Sequence, residues 1–571
     1  MGVNFLIHRN KAFVLHLLKL FYMRTLSVVL LFFISIFCIT LQAQQKIAAN
    51  SQINRPKLVV GIMVDQMRWD YLYRFNDRFA TNGGFKRMLQ EGFSCENTFI
   101  PYTPTVTACG HTCVYTGSVP SIHGITGNSW WDSELQRTVY CAEDKSVNTV
   151  GSNSTAGKMS PRNMLTTTIC DELRLATNFK SKVIGVAFKD RGSILPAGHS
   201  ANAAYWYDTK NGNWITSTYY MQELPKWVTQ FNNQKLADTF YTKGWNTLYP
   251  INTYTQSTAD IKTYEGKPFG ADQTAFPYNF NKSIGTNYST IYTTPYGSSF
   301  TLEMAKAAIE GEALGQDAVT DFLAVSFSSP DAIGHVFGPN SIETEDAYLR
   351  LDKDMGALLD YLDKKVGKNQ YTVFLTADHG VAHIPGFLKE NKLPGGLMAD
   401  DFFLKELNSQ LKEQFGIEKG IVSLYNYQVH LNHLLIDSLK ADEEAISKHI
   451  IKYFMKQDCV AQVIEIDELM EAPLNNQLKQ MLANGYFPKR SGDIQIILKP
   501  GYIDGGATGT THGLWNPYDS HIPLLWYGYG IKKGKLNRET YMTDIAPTMA
   551  ALLKIQMPNG AVGKVIEEVL K

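Results

Sequence analysis

The residues best suited to chemistry are three Asp and three His, placed where apolar runs give way to polar sequence. Asp65 follows LVVGIMV, Asp378 and His379 follow TVFLTA, and Asp331 and His335 follow FLAVSFSS within SSPDAIGHVFG. His512 lies in TGTTHGLWNP, beyond a glycine-rich stretch that begins at Gly501. Adjacent Asp378 and His379 can converge on one ion at a strand end. Asp331 and His335 are four apart, so on one helical turn they face the same way and can chelate. Taken singly, each has a plain alternative: a loop turn, a solvated pair, a loop hydrogen-bonder. Taken together, mixed oxygen and nitrogen ligation suits Zn²⁺, and six ligands suffice for two three-ligand sites with open positions. Two close metals suit in-line displacement at phosphorus, one activating the nucleophile and one stabilising the leaving oxygen.

A nucleophile is available in PTVTACGHTCVYTGSVPSIHGITGN, Pro104 to Asn128. Thr107 precedes small residues that can begin a helix, where free backbone N–H groups favour an anion. A metal would make its hydroxyl a nucleophile; without one, Thr107 reads as an ordinary N-cap. His111 and His123 read as satisfied structural histidines, and Cys109 and Cys113 as buried thiols rather than a metal pair. In FKDRGS, Lys189 and Arg191 follow a strand two apart, so in extended chain their side chains share a face. Arg makes paired hydrogen bonds to phosphate and Lys acts as a point charge, which suits a dianionic monoester; a solvent-facing basic loop is the alternative.

The elements that must position these residues are short apolar runs of buried-strand type: Leu58–Val64, Lys182–Phe188, Phe322–Ser329, Thr372–Ala377 and Ile522–Gly530. Helical patterns lie between them: SPRNMLTTTICDELRLA, with Ser160 as N-cap and Pro161 in the first turn, and Glu345 to Lys365. The alternation predicts an α/β fold, a doubly wound, mostly parallel sheet with helices on both faces, whose ligands bind beyond the carboxyl ends of the strands. Stretches at about 200–300 and about 386–500 break the alternation and read as two insertions decorating one catalytic domain over 44–571.

The 571 residues correspond to roughly three to four units of ~150, or equally to one large domain with insertions. Hydrophobic residues at 44% and charged residues at 19% give a chain that buries a large core and is not disordered. Lys+Arg and Asp+Glu both number 54, and this balance argues against a protein-wide polyanion surface, so no nucleic acid partner is expected. Seven Cys exclude a disulfide-stapled miniprotein. Leu26–Leu41 is an apolar run of 16 after Arg24 and before Ala43. It reads as a secretory signal peptide over residues 1–43, cleaved near Ala43, with Met23 as an alternative start. The run is short against the about 20 residues of a membrane span, so no stable anchor is expected. The mature chain is expected to be periplasmic or secreted.

VDQMRWDYL, Pro-Thr-x-Thr, GITGN, SSPDAIGH, TADHG and THG occur in the order used by the alkaline phosphatase superfamily, and TDIAPTMAALL (Thr543–Leu553) resembles its terminal helix. Over most of the chain the sequence resembles the secreted, phosphate-irrepressible (PafA-type) branch, similar in core to nucleotide pyrophosphatase/phosphodiesterases. The resemblance implies two Zn²⁺ per chain and a covalent phosphothreonine on Thr107. It places Asp65, Thr107, Asp378 and His379 around one ion and Asp331, His335 and His512 around the other. Asn128, Lys189 and Arg191 would contact the phosphoryl oxygens. The implied reaction is hydrolysis of small phosphate monoesters, with inorganic phosphate as product and inhibitor; the oligomeric state is left open by the sequence, with a monomer favoured. The alternative is a phosphodiesterase or nucleotide pyrophosphatase using the same metals and nucleophile. Sulfatases need Cys or Ser in a C/S-x-P-x-R context, which Thr107-Ala108-Cys109-Gly110-His111 does not supply.

Overall fold

A computed structural model of the chain describes residues 4–50, 53–398 and 400–571. It comprises an N-terminal unit, residues 1–55, and a compact unit, Pro56–Lys571. Residues 1–3 of the expected leader lie outside the described residues. In the N-terminal unit a helix runs over Asn4–Asn50, and its stretch Phe13–Cys38, 26 residues, is long and apolar enough to cross a membrane, as signal sequences also are. The apolar character therefore reaches further back than the run of 16. Val14–Tyr22, ahead of Met23, continues it on the same helix.

The compact unit is built on a sheet of ten strands. Numbered along the chain they are β1 (Leu58–Val64), β2 (Phe93–Phe99), β3 (Thr149–Val150), β4 (Val183–Ala187), β5 (Ala203–Asp208), β6 (Asn213–Ser217), β7 (Asp321–Phe327), β8 (Tyr371–Thr376), β9 (His521–Gly528) and β10 (Gly534–Tyr541). Their order is β10-β2-β9-β8-β1-β7-β4-β5-β6-β3. The central run β8-β1-β7-β4-β5 is parallel throughout. Strands β1, β4, β7 and β8 are buried at every residue, which is why they read as continuous apolar runs.

Three expectations are corrected. Ile522–Gly530 was expected to be a parallel strand, but β9 runs antiparallel to β8 and to β2. An apolar run encodes burial and not direction; the loop carrying His512 already lies where β8 ends, so the following strand must run back. Ser160 does not cap a helix. Its hydroxyl donates to Asp144 Oδ2 at 2.6 Å, and the helix begins at Ile169, where Thr168 and Asp171 form a reciprocal capping box. The helix expected from Glu345 begins three residues earlier, at Ile342, where the Ser341 hydroxyl accepts from Thr344 N at 3.1 Å, and its last α residue is Leu362.

Strands β5 and β6 fall within the stretch read as the first insertion, yet they extend the central sheet through β4. Within 386–500 a separate four-stranded antiparallel sheet, Ile421–Ser423, Gln428–Leu431, Ile494–Leu498 and Val460–Glu465 in spatial order, packs on its own apolar cluster around Leu407, Ile446, Ile450 and Phe454. The six cysteines beyond Cys38 are buried, unbridged thiols.

One close approach ties the core to the strand ends. The helix Thr107–Thr116 is buried along its whole length, and Gly110 faces the Asp378 backbone. A Cβ there would lie 2.4 Å from Asp378 O and 2.6 Å from Asp378 Cβ, closer than packed atoms allow. Gly110→Ala should therefore destabilise the fold by about 1–3 kcal/mol and push the Thr107 helix off the Asp378–His379 turn. Urea unfolding checks this; an unchanged midpoint would refute the contact.

Candidate active site

Neighbouring parallel strands deliver the polar residues to one edge. Asp65 directly follows β1, Lys189 lies two residues past β4, and Asp378 and His379 lie just past β8. The helix Ser329–Phe337 after β7 presents Asp331 and His335 one turn apart, as their spacing predicted. Thr107 arrives through the loop after β2, and His512 through the loop before β9.

The side chains converge into one buried cluster. Asp331, His335 and His512 lie close enough to share one ion, and so do Asp65, Asp331 and His379. Asp331 therefore faces both groups, where the resemblance gave it to one. His335 Nε2 is 3.1 Å and His512 Nε2 3.6 Å from Asp331 Oδ1, while His379 Nε2 is 3.5 Å from both Asp65 Oδ1 and Asp378 Oδ2. The His379 and His512 rings stack with centroids 3.4 Å apart.

Each imidazole is oriented from behind. Nδ1 of His335 meets Thr510 O at 2.8 Å, Nδ1 of His379 meets Gly380 O at 3.0 Å, and Nδ1 of His512 meets Thr105 O at 2.7 Å. A carbonyl only accepts, so Nδ1 carries the proton and the Nε2 lone pair faces the carboxylates. Burial, with His379 and His335 alongside, holds His512 well below the usual histidine range, and burial likewise lowers His379. Burial would raise Asp331, but His335 and Lys189 hold it well below the ordinary carboxylate range. Burial together with Asp378 raises Asp65 well above that range.

The donor set fits metal. Asp65 Oδ1 is buried without a hydrogen bond, and so is Asp378 Oδ2, since the nearby His111 Nδ1 is directed at Thr107 O (2.9 Å). Three buried carboxylates face the imidazole Nε2 atoms, and a single ammonium lies among them. That ammonium is Lys189, whose Nζ lies 2.6 Å from both Asp65 Oδ2 and Asp331 Oδ2 and 3.4 Å from Thr107 Oγ1.

Thr107 is the first residue of its helix; the N-cap is Val106, and no side chain caps it. The plain capping role is thus absent, and the hydroxyl points into the cluster, 3.5 Å from His379 Nε2. Asn128 flanks it, with Oδ1 accepting from Ala108 N at 2.9 Å, which turns the amide NH₂ outward. Lys189 and Arg191 do not share a strand face. Lys189 is the last extended residue before the helix Asp190–Ala197, and Arg191 lies in its first turn. Arg191 Nη1 donates to Tyr140 Oη at 3.1 Å, while its Nε is buried without a partner.

Two contributors, Gln66 and Tyr140, were missed from sequence. Gln66, at φ 67°, donates from its backbone to Asp378 Oδ1 at 3.1 Å and from Nε2 to Asp331 Oδ1 at 2.7 Å. Its position directly after Asp65 was the available signal. His111 is a satisfied structural histidine, as expected: it links Thr107 O to Ser326 Oγ, at 2.9 and 2.8 Å. Tyr140 had no local signal. His123 is not fully satisfied: Nδ1 accepts from Ile125 N at 3.1 Å, but Nε2 has no partner.

Fold and site together define an α/β protein that gathers a metal-type ligand cluster and a helix-terminal hydroxyl at the carboxyl edge of its sheet. The profile of the family described as Type I phosphodiesterase / nucleotide pyrophosphatase matches residues 59–519, and the chain belongs to that family. It is 54% identical over 545 residues to alkaline phosphatase PhoV of Synechococcus elongatus, covering 94% of this chain and 98% of that one. It is 51% identical over 524 residues to alkaline phosphatase PafA of Elizabethkingia meningoseptica, covering 91% and 96% respectively. The crystal structure of wild-type PafA superposes with a TM-score of 0.89 over 91% of this chain and 100% of that one, at 51% identity.

Because Asp331 faces both ligand groups, Asp331→Asn should weaken metal binding at both. Titration with divalent metal by calorimetry is expected to show weaker binding to the variant than to the wild type, with a smaller metal-dependent rise in thermal midpoint. Metal stoichiometry and affinity equal to the wild type's would refute the shared role.

Proposed function

We propose that the protein is an exported, zinc-dependent alkaline phosphatase that hydrolyses small phosphate monoesters through a phosphothreonine on Thr107. The observation that carries this reading is the position of Thr107 Oγ1. It sits at the start of a buried helix, 3.4 Å from Lys189 Nζ and 3.5 Å from His379 Nε2, with unsatisfied carboxylate oxygens alongside. Two relatives that share about half its sequence, PhoV and PafA, are named alkaline phosphatases.

Asp65, Asp378 and His379, with Thr107, would hold one Zn²⁺, and Asp331, His335 and His512 the other. Bound zinc supplies Lewis acidity, lowering a hydroxyl pKa and stabilising a leaving oxygen. The chain's own residues do the rest. Thr107 Oγ forms a bond to phosphorus as the ester O–P bond breaks and the alcohol departs. Water then attacks the phosphothreonine, the P–Oγ bond breaks, and inorganic phosphate leaves. Two inversions give net retention at phosphorus. Asn128 donates its outward NH₂, Arg191 its unpaired N–H groups, and Lys189 its charge to the phosphoryl oxygens. Free phosphate carries the same oxygens and should inhibit. The N-terminal helix acts as an export signal cleaved near Ala43. Residues 44–571 then form one catalytic domain, whose insertions shape access for the leaving alcohol.

Diester hydrolysis with the same residues is the second reading, favoured by the description of the family profile. A diester carries one negative charge fewer and gains less from a buried guanidinium with free donors. The deciding measurement is kcat/KM of the zinc-loaded protein for an aryl phosphate monoester against the matching diester at alkaline pH. A monoester preference of several orders of magnitude is expected, and Arg191→Ala should lower the monoester value by about 10- to 100-fold, the scale of a charged hydrogen bond. A diester preference would keep Thr107 and the metals and discard the monoester assignment.

A further inference from the structure

Arg191 is held by a phenol that belongs to the same hairpin as Asn128. The strand Ser129–Asp132 pairs antiparallel with Arg137–Tyr140, and Ser129 lies opposite Tyr140. Asn128 immediately precedes this hairpin, and Cys141 N closes it by donating to Asn128 O at 3.0 Å. At the far end of the second strand, Tyr140 Oη donates to Asp190 Oδ1 at 2.5 Å and accepts from Arg191 Nη1 at 3.1 Å. Asp190 and Arg191 are neighbours of opposite charge in one helical turn, and Asp190 Oδ1 already accepts from Arg191 N at 2.5 Å.

We propose that Tyr140 is a positioning residue for phosphate recognition: its hydroxyl stands between Asp190 and Arg191, keeps the guanidinium from collapsing onto the neighbouring carboxylate, and ties it to the hairpin that carries Asn128. This rests on the reading of Arg191 as a phosphate-binding group. A hydroxyl has one proton to give and lone pairs to accept, so it serves the carboxylate and the guanidinium at once. Arg191 contributes one N–H to this contact and keeps the others for an anion. Without the hydroxyl, Asp190 loses a donor and Arg191 an acceptor, and each is the other's nearest replacement. The direct pair that then forms withdraws the guanidinium from the phosphoryl group. The hairpin thereby sets the two flanking phosphate contacts relative to each other, though they lie 63 residues apart in sequence.

The test is a double-mutant cycle on the zinc-loaded protein, reading kcat/KM for an aryl phosphate monoester and the inhibition constant of inorganic phosphate. Tyr140→Phe keeps the ring and its packing. It is expected to lower monoester kcat/KM by about tenfold and weaken phosphate inhibition to a similar extent. In an Arg191→Ala background Tyr140→Phe should have no further effect, because the group it positions is gone. Asp190→Asn added to Tyr140→Phe should recover most of the loss, since a neutral amide no longer captures the guanidinium; a purely structural defect would not be rescued. If Arg191→Ala itself left the monoester rate unchanged, the phosphate-binding reading would fall and the proposal with it. If Arg191→Ala lowers the rate but Tyr140→Phe does not, or the two losses multiply, the proposal alone falls.

Discussion

Three carboxylates, Asp65, Asp331 and Asp378, are buried together where adjacent strands end, and the surrounding structure is arranged to tolerate that charge. Buried carboxylates brought this close are unfavourable unless cations or donors compensate them. The compensation present is partial: the Lys189 ammonium between Asp65 and Asp331, and two donors from Gln66. The left-handed backbone of Gln66 follows from the same need, since it allows one residue to reach Asp378 with its amide and Asp331 with its side chain. The cluster is pre-arranged for ions, and the Thr107 hydroxyl is held against it.

Holding that hydroxyl requires the backbone of one helix to approach a strand end. Gly110 permits the contact, and His111, from the same helix, fastens it through Thr107 O and Ser326 Oγ. Asn128 then occupies Ala108 N at the buried helix start, so Asn128 and the helix that begins at Thr107 are fixed to one another by a hydrogen bond. Such mutual fixing is what electrostatic preorganisation requires, because donors must already stand where charge will develop.

The segment within 386–500 contacts the hairpin that carries these donors. The Arg490 guanidinium lies over the Trp130 ring at 4.9 Å, Arg490 O accepts from Thr126 Oγ1 at 3.1 Å, and Lys489 O accepts from Ser133 N at 3.0 Å. The stretch that carries no recognisable chemistry of its own therefore braces both sides of Asn128.

Sequence alone determined the α/β class and the four central strands, and it singled out the Asp and His residues that the structure brings together. Short continuous β-branched runs bounded by polar sequence favour doubly buried strands, and Asp or His just past the ends of parallel neighbours gather at one sheet edge. The four-residue spacing of Asp331 and His335 became one helical turn for the same local reason. Direction and partnership were not local. Strand β9 is antiparallel because of where its preceding loop starts, and Asp331 faces both ligand groups because β1, β7 and β8 are neighbours. Lys189 and Arg191 parted because a helix begins between them, sending one side chain to the carboxylates and the other to Tyr140. The contacts of His111, Gln66 and Tyr140 join elements far apart in the chain, and no periodicity or spacing encodes such a meeting until the sheet has been assembled.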